Sequence, residues 1–209
     1  MSRTVGIAGV QMEVSRSGDN AGRAMKLLNE VTASFPWADL VLFSELCVHG
    51  LDPALREAVP GPGLDPFRQW ARREKKWLVP GSFFEREGEK VFNTAVVISP
   101  AGEIVAKYRK IFPWRPLEKS DPGDAFCIFD IPGKGRFGLC ICYDQWFPEV
   151  VRTLAWMGAE AVVHPTATTT SDRAQELVLS QAHAIFNQIY FFSVNGVGAG
   201  LANHGVSGE

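Results

Sequence analysis

The sequence predicts an α/β fold built around a mixed β-sheet, and three features of its patterning carry that expectation. A short apolar run at residues 5–10, an amphipathic stretch at 20–35 and a second apolar run at 39–43 give the strand, helix, strand order of a parallel crossover unit. The same order returns near the end, at 160–164, 172–188 and 189–195. Between the two units, turn residues at Glu87-Gly88 and Ala101-Gly102 separate three apolar runs, as antiparallel hairpins require.

The elements follow in order. The first strand leads into a helix whose Met25, Leu28 and Val31 share a face, and the strand at 39–43 sets Glu45 just beyond its carboxyl end, where functional groups of crossover units gather. A solvated loop carboxylate is the ordinary fate of such a glutamate, but its place after Val41-Leu42-Phe43 argues for the site. Residues 53–66 are rich in Pro and Gly and read as a loop. A helix follows with Phe67, Trp70 and Ala71, ending in the basic run 72–76, a solvated face. Strands are expected at 77–84, 91–99 and 103–108. The Lys107-Tyr-Arg-Lys110 run reads on its own as a basic strand end, and the proline-rich stretch after it, which holds Trp114 and Glu118, as an irregular loop. Glu118 is either a site residue or a surface partner of its basic neighbours.

Phe137 to Ile141 form an apolar run that stops at Tyr143-Asp144. Pro148 and Glu149 then suit a first helical turn, with Val150, Leu154 and Met157 on the buried face and Gly158 at the end. A thiol at such a bend can be exposed and have its pKa lowered, as a nucleophile needs. Cys140 reads as core; for Cys142, spacing alone leaves core filler and nucleophile both open. His164, at the end of the strand 160–164, invites a Cys-His dyad but is read as a satisfied structural histidine. Thr166 and Thr168, in the polar loop after it, are candidates to line a pocket.

The chain as a whole narrows the function. Its 209 residues, 46% hydrophobic and 21% charged, suit a single globular domain over 1–209. A net charge of −2 and a pI near 6.1 give no electrostatic footprint for nucleic acid or an acidic membrane, so a small, weakly charged substrate is expected. No apolar run reaches the roughly 18 residues of a membrane span, and the first residues lack a signal core, which points to the cytoplasm. Cys47, Cys127, Cys140 and Cys142 are too sparse for a secreted disulfide framework. Cys47-Val48-His49 with Cys140-Ile141-Cys142 lack the usual gap between paired zinc ligands, so no metal is expected.

The segment GLCICYDQWFPE resembles the nucleophile motif of the nitrilase superfamily of carbon-nitrogen hydrolases, a cysteine followed by an aromatic residue, Asp and a later Phe-Pro-Glu. On that match Cys142 is the nucleophile. DLVLFSEL and KYRKIFPW resemble the other two motifs in the family's order, which makes Glu45 the general base and Lys110 the catalytic lysine. The spacing of Lys110, Trp114, Glu118 and Pro122-Gly123 resembles the aliphatic amidase branch, where a second glutamate lies eight residues past the lysine; the run 144–147 also resembles carbamoyl amidases.

The resemblance implies an α-β-β-α sandwich of two mixed sheets with helices on the outer faces. It implies a thiol hydrolase that cleaves a small aliphatic amide through a cysteine thioester, with Lys110 and the Tyr143 backbone N–H at the oxyanion and no cofactor. N-carbamoyl amine hydrolysis is the alternative, nitriles come third, and a non-catalytic module or reactive-thiol sensor is the reading from another class. The final segment, from Asn195, resembles the point where family members continue into two more strands, so the domain is expected to be C-terminally truncated, the chain being either a fragment of a longer polypeptide or stabilised by a partner, a second copy in a homo-oligomer.

Overall fold

The computed structural model describes residues 3–15, 19–169 and 171–198. The first sheet holds β1 (Ile7–Val10), β2 (Leu40–Phe43), β3 (Trp77–Val79), β4 (Ser82–Glu87), β5 (Lys90–Ile98) and β6 (Ile104–Arg109). There β2 lies between β1 and β3 with all three parallel, and β5 runs antiparallel to β3, β4 and β6. The second sheet has the order β10 (Tyr190–Asn195), β9 (Ala161–Thr166), β8 (Gly135–Leu139), β7 (Cys127–Ile131). Its first three strands are parallel and β7 is antiparallel to β8.

The two sheets face each other through one apolar layer: Leu40, Leu42, Val79, Ala95 and Val97 of the first meet Phe129, Phe137, Leu139, Val163 and Val194 of the second. On the outer face of the first sheet, Val41, Phe43, Leu78, Val96 and Ile98 pack against α1 (Asn20–Ser34) and α2 (Asp65–Glu74). The alternation along β2, Leu40 and Leu42 inward and Val41 and Phe43 outward, explains why that strand is apolar throughout. Asp19 caps α1 by accepting from the Gly22 N–H at 2.8 Å, and Ala24 and Leu28 form its buried stripe. In α2 the stripe is Phe67, Trp70 and Ala71, and the helix closes on Lys75 in the left-handed region. The second sheet is covered by α3 (Pro148–Trp156), through Val150, Val151 and Leu154, and by α4 (Arg173–Asn187). This is the α-β-β-α sandwich that the resemblance implied.

Four local expectations change. The strand at 77–84 is broken at Pro80-Gly81 into β3 and β4, which pair in succession with β5. Residues 127–131, which no sequence signal assigned, form β7; its pairing with β8 compensates for a short run after a proline-rich loop. Met157 lies just past α3 and is exposed rather than buried. Between strand and helix, residues Cys142–Trp146 form a short 3-10 turn, so α3 starts six residues after the thiol. The last eleven residues of the segment expected to lead into further strands lie outside the described residues.

Candidate active site

The carboxyl-terminal ends of β2, β6, β8 and β9 meet at one end of the sandwich. Beyond β2, the Glu45 N–H donates to the carbonyl of Thr166 at the end of β9 (3.3 Å), tying the two sheets together there. The Pro80-Gly81 break passes close by. A Cβ on Gly81, at φ +83°, would stand 1.9 Å from the Ser44 carbonyl oxygen, so only glycine lets the chain through. Lys110 follows β6 directly; its N–H donates to the Asn93 carbonyl at 2.9 Å and its own carbonyl accepts from Gly123 at 2.8 Å.

The side chains close into a ring. Lys110, 1% exposed, donates through Nζ to Glu45 Oε1 at 2.8 Å and to Glu118 Oε2 at 2.7 Å. Asn93 Nδ2 donates to Glu45 Oε1 at 2.8 Å and to Glu118 Oε1 at 2.9 Å. Glu118 also accepts from the Trp114 N–H at 3.0 Å and from Ser120 Oγ at 2.9 Å, so both its oxygens are filled. Glu45 differs, because its two side-chain bonds fall on Oε1 and Oε2 has no hydrogen-bond donor among the described residues.

Cys142 has φ +60°, a conformation that costs a non-glycine residue energy and is kept where the surroundings enforce it. Asp144 supplies much of that enforcement. Fully buried, it accepts from the Ile141 N–H (2.9 Å), the Phe112 N–H (2.9 Å) and the Tyr108 hydroxyl (2.7 Å), joining the Cys142 turn to the segment that carries Lys110. The His164 ring donates through Nε2 to the Cys142 carbonyl at 3.1 Å, which leaves Nδ1 to accept from Ser193 Oγ at 3.0 Å. It is therefore a structural histidine, as the sequence suggested, and not the partner of the thiol. The Tyr143 N–H, at the open start of the 3-10 turn, has no partner among the described residues and is available as an oxyanion donor.

Electrostatics sort the groups. Burial, then the Glu45 charge, push the Cys142 thiol well up, and Lys110 with the Ala167 N–H only partly opposes them. The lowered thiol pKa expected from the bend is thus corrected: the resting sulfur is protonated and needs a base. Burial works against the Lys110 charge, but the Glu118 and Glu45 carboxylates beside it outweigh burial and raise its pKa. Burial would likewise raise Glu118, yet Lys110 and its other donors hold it down to about 2.

Cys142, Glu45, Lys110 and Glu118 line one cleft with the apolar Leu46, Leu51, Phe84 and Leu117. Trp114 and Ala167 border this cleft and a second one on the other side of Cys142, which is lined by Tyr143, Trp146, Thr168 and Asp172. Of the residues expected from the sequence, Thr166 does not line either cleft. All of β9 is buried, and the Thr166 hydroxyl donates to Glu176 Oε1 at 2.7 Å beneath the site. Sequence reasoning missed Asn93. The available signal was an asparagine inside a long apolar run, since a buried amide has to find partners. Cys47 and His49, raised as metal ligands, turn elsewhere: the thiol to the Pro80 carbonyl (2.9 Å), the ring to Glu57 (3.0 Å).

Comparison with known proteins is consistent across sequence and structure. The family profile described as carbon-nitrogen hydrolase matches residues 4–207. A formamidase of Bacillus anthracis is 33% identical over 180 residues, covering 82% of this chain and 54% of the formamidase. The chain spans about half the length of the curated relatives it matches. Saccharomyces cerevisiae Nit3, a member of branch 10 of the nitrilase superfamily, superposes with a TM-score of 0.85 at 25% identity, over 94% of this chain and 77% of that one. An amidase from Nesterenkonia sp. gives 0.83 at 29% identity with the same coverage. A variant of the amidase from Nesterenkonia sp. AN1, at 28% identity and a TM-score of 0.83 over 94% of this chain and 77% of its own, shows covalent addition of the acetamide moiety of fluoroacetamide at the active-site cysteine.

Proposed function

This chain belongs to the carbon-nitrogen hydrolase family, and from that premise we propose that it hydrolyses a small aliphatic amide to a carboxylic acid and ammonia through a thioester on Cys142. The observation that carries the reading is the convergence of Glu45, Lys110, Glu118 and Cys142 on one cleft. Glu45 takes the thiol proton through its unoccupied oxygen as the sulfur attacks the amide carbon. Lys110 and the Tyr143 N–H hold the negative charge that forms on the carbonyl oxygen. The C–N bond breaks, and the proton on Glu45 leaves with the nitrogen as ammonia. A water then gives its proton to Glu45 and attacks the thioester; the acid departs and the proton returns to sulfur. Glu118, held ionised near pKa 2, keeps Lys110 charged and in place.

Supporting this reading, the named relatives include formamidases and amidases. N-carbamoyl amine hydrolysis is the second reading, favoured by the cleft of Tyr143, Trp146 and Thr168 beside the thiol, which formamide would leave empty. We place the protein in a reducing, cytoplasmic setting, in keeping with its four free thiols. Among the described residues no helix is long and apolar enough to cross a membrane.

Incubation with formamide, acetamide, propionamide and N-carbamoyl amines, with both products measured, tests the proposal. Acid with ammonia is the expected outcome, carbon dioxide with ammonia selects the second reading, and no turnover of either class refutes both. Lys110→Ala is expected to lower the rate by roughly 100-fold or more, since one lost oxyanion contact costs about 3 kcal/mol. A variant retaining more than about a tenth of the rate contradicts the role of the lysine.

A further inference from the structure

Glu45 and Glu118 sit together beside a single lysine, and the structure has to decide which of them accepts protons. Asn93 stands where that decision is made. It lies in β5, fully buried, opposite Phe84 of β4, and its backbone carbonyl receives the Lys110 N–H. Its side-chain partners on Nδ2 are both carboxylate oxygens, so the NH2 faces them and one proton goes to each glutamate. The other end of the amide is unmatched: Asn93 Oδ1 is buried and has no hydrogen-bond partner among the described residues. A buried amide kept for stability alone would pair both ends, because an orphaned buried acceptor is destabilising.

The asymmetry of the bonding supplies a role. On Glu45 the Asn93 N–H and Lys110 Nζ converge on the same oxygen, which pins the carboxylate at one angle and leaves the second oxygen open. On Glu118 they fall on different oxygens, which with Trp114 and Ser120 are then filled. If Asn93 were absent, Glu45 would be held by Lys110 alone and free to rotate its second oxygen onto the lysine.

We propose that Asn93 is a positioning residue that makes Glu45, and not Glu118, the proton acceptor of the site, by loading one oxygen of Glu45 and completing the shell of Glu118. The proposal rests on the reading of Glu45 as the base for Cys142.

Alkylation of Cys142 by iodoacetamide, followed by mass spectrometry from pH 5 to 9, tests this without a known substrate. The proteins are wild type, Glu45→Gln, Asn93→Leu, which has a similar volume and no donor, and Asn93→Ser, which keeps a shorter donor. Asn93→Leu is expected to slow alkylation about tenfold at pH 7, because the open oxygen of Glu45 is no longer held toward the thiol. Asn93→Ser, which keeps a donor, is expected to recover part of the rate, and Glu45→Gln to slow the reaction at least as much as Asn93→Leu. If Glu45→Gln is slow but Asn93→Leu follows the wild-type profile, the role of Asn93 is wrong and the base stands. If Glu45→Gln alkylates like wild type, the base itself is wrong. Thermal melts establish that each variant folds; if Asn93→Leu does not, wild-type alkylation rates in Asn93→Ser overturn the proposal.

Discussion

His164 and Asp144 are both buried beside the nucleophile turn, and burial drives their pKa values in opposite directions. Desolvation lowers His164 to about 4, so its contribution to stability is complete above the unfolded value near 6.5 and is lost as pH falls toward 4. Desolvation raises Asp144 to about 6, so its contribution is complete below about 4 and is lost as pH rises through 6. The two oppose each other over the same window. Glu118 and Glu85 are both held down to about 2, so their contributions are present above the ordinary carboxylate value of about 4.4 and are lost below it. Thermal melts against pH should therefore show little change between pH 6.5 and 4.5 and a steep fall below, with the fall shallower in Glu118→Gln. A wild-type profile that falls mainly between 6.5 and 4.5 would contradict this. At this scale Glu45, Lys110, Glu118 and Cys142 were legible only as motifs, because each has an ordinary alternative reading when taken singly. Asn93 was not legible: its role depends on which residues stand across from it, and periodicity along a strand carries no such information.

The Cys142 turn and the end of β6 act as one unit through Asp144, which binds Tyr108, Phe112 and Ile141 together. Asp144→Asn turns one acceptor into an NH2 facing donors, with an expected cost of about 1–3 kcal/mol and a fall in turnover larger than any change in KM. Unchanged melting and unchanged kcat would show that the unit does not depend on this carboxylate. Gly81→Ala should cost more than about 2 kcal/mol, read by denaturant unfolding, because it combines a positive φ with a collision at the Ser44 carbonyl. An alanine variant as stable as wild type would refute the close-packing argument. Long elements with a clear period were legible, such as α1 and β5. The break at Pro80-Gly81 and the strand β7 were not, because the first depends on Ser44 across the fold and the second on pairing with β8.

At the scale of the whole molecule, the helical layer over the second sheet exposes apolar side chains. Trp156, Ile185, Phe186 and Tyr190 are each at least 70% exposed, along the end of α3, the last turn of α4 and the start of β10. Apolar patches of this kind mark association surfaces, so light scattering at micromolar concentration should give a mass above that of one chain. A monodisperse monomer would remove the expected homo-oligomer. Local patterning showed a mixed sheet but not two facing sheets; that came from the family resemblance, because neither runs nor turns say which strands share a sheet. The central claim is that Cys142 is the nucleophile, activated by the groups around it. Peptide mapping by mass spectrometry after incubation with fluoroacetamide tests it most directly. A single covalent adduct on the peptide containing Cys142, lost together with ammonia release from acetamide in Cys142→Ala, is the expected result; an adduct on Cys47, Cys127 or Cys140 instead, or ammonia release that survives in Cys142→Ala, would contradict it.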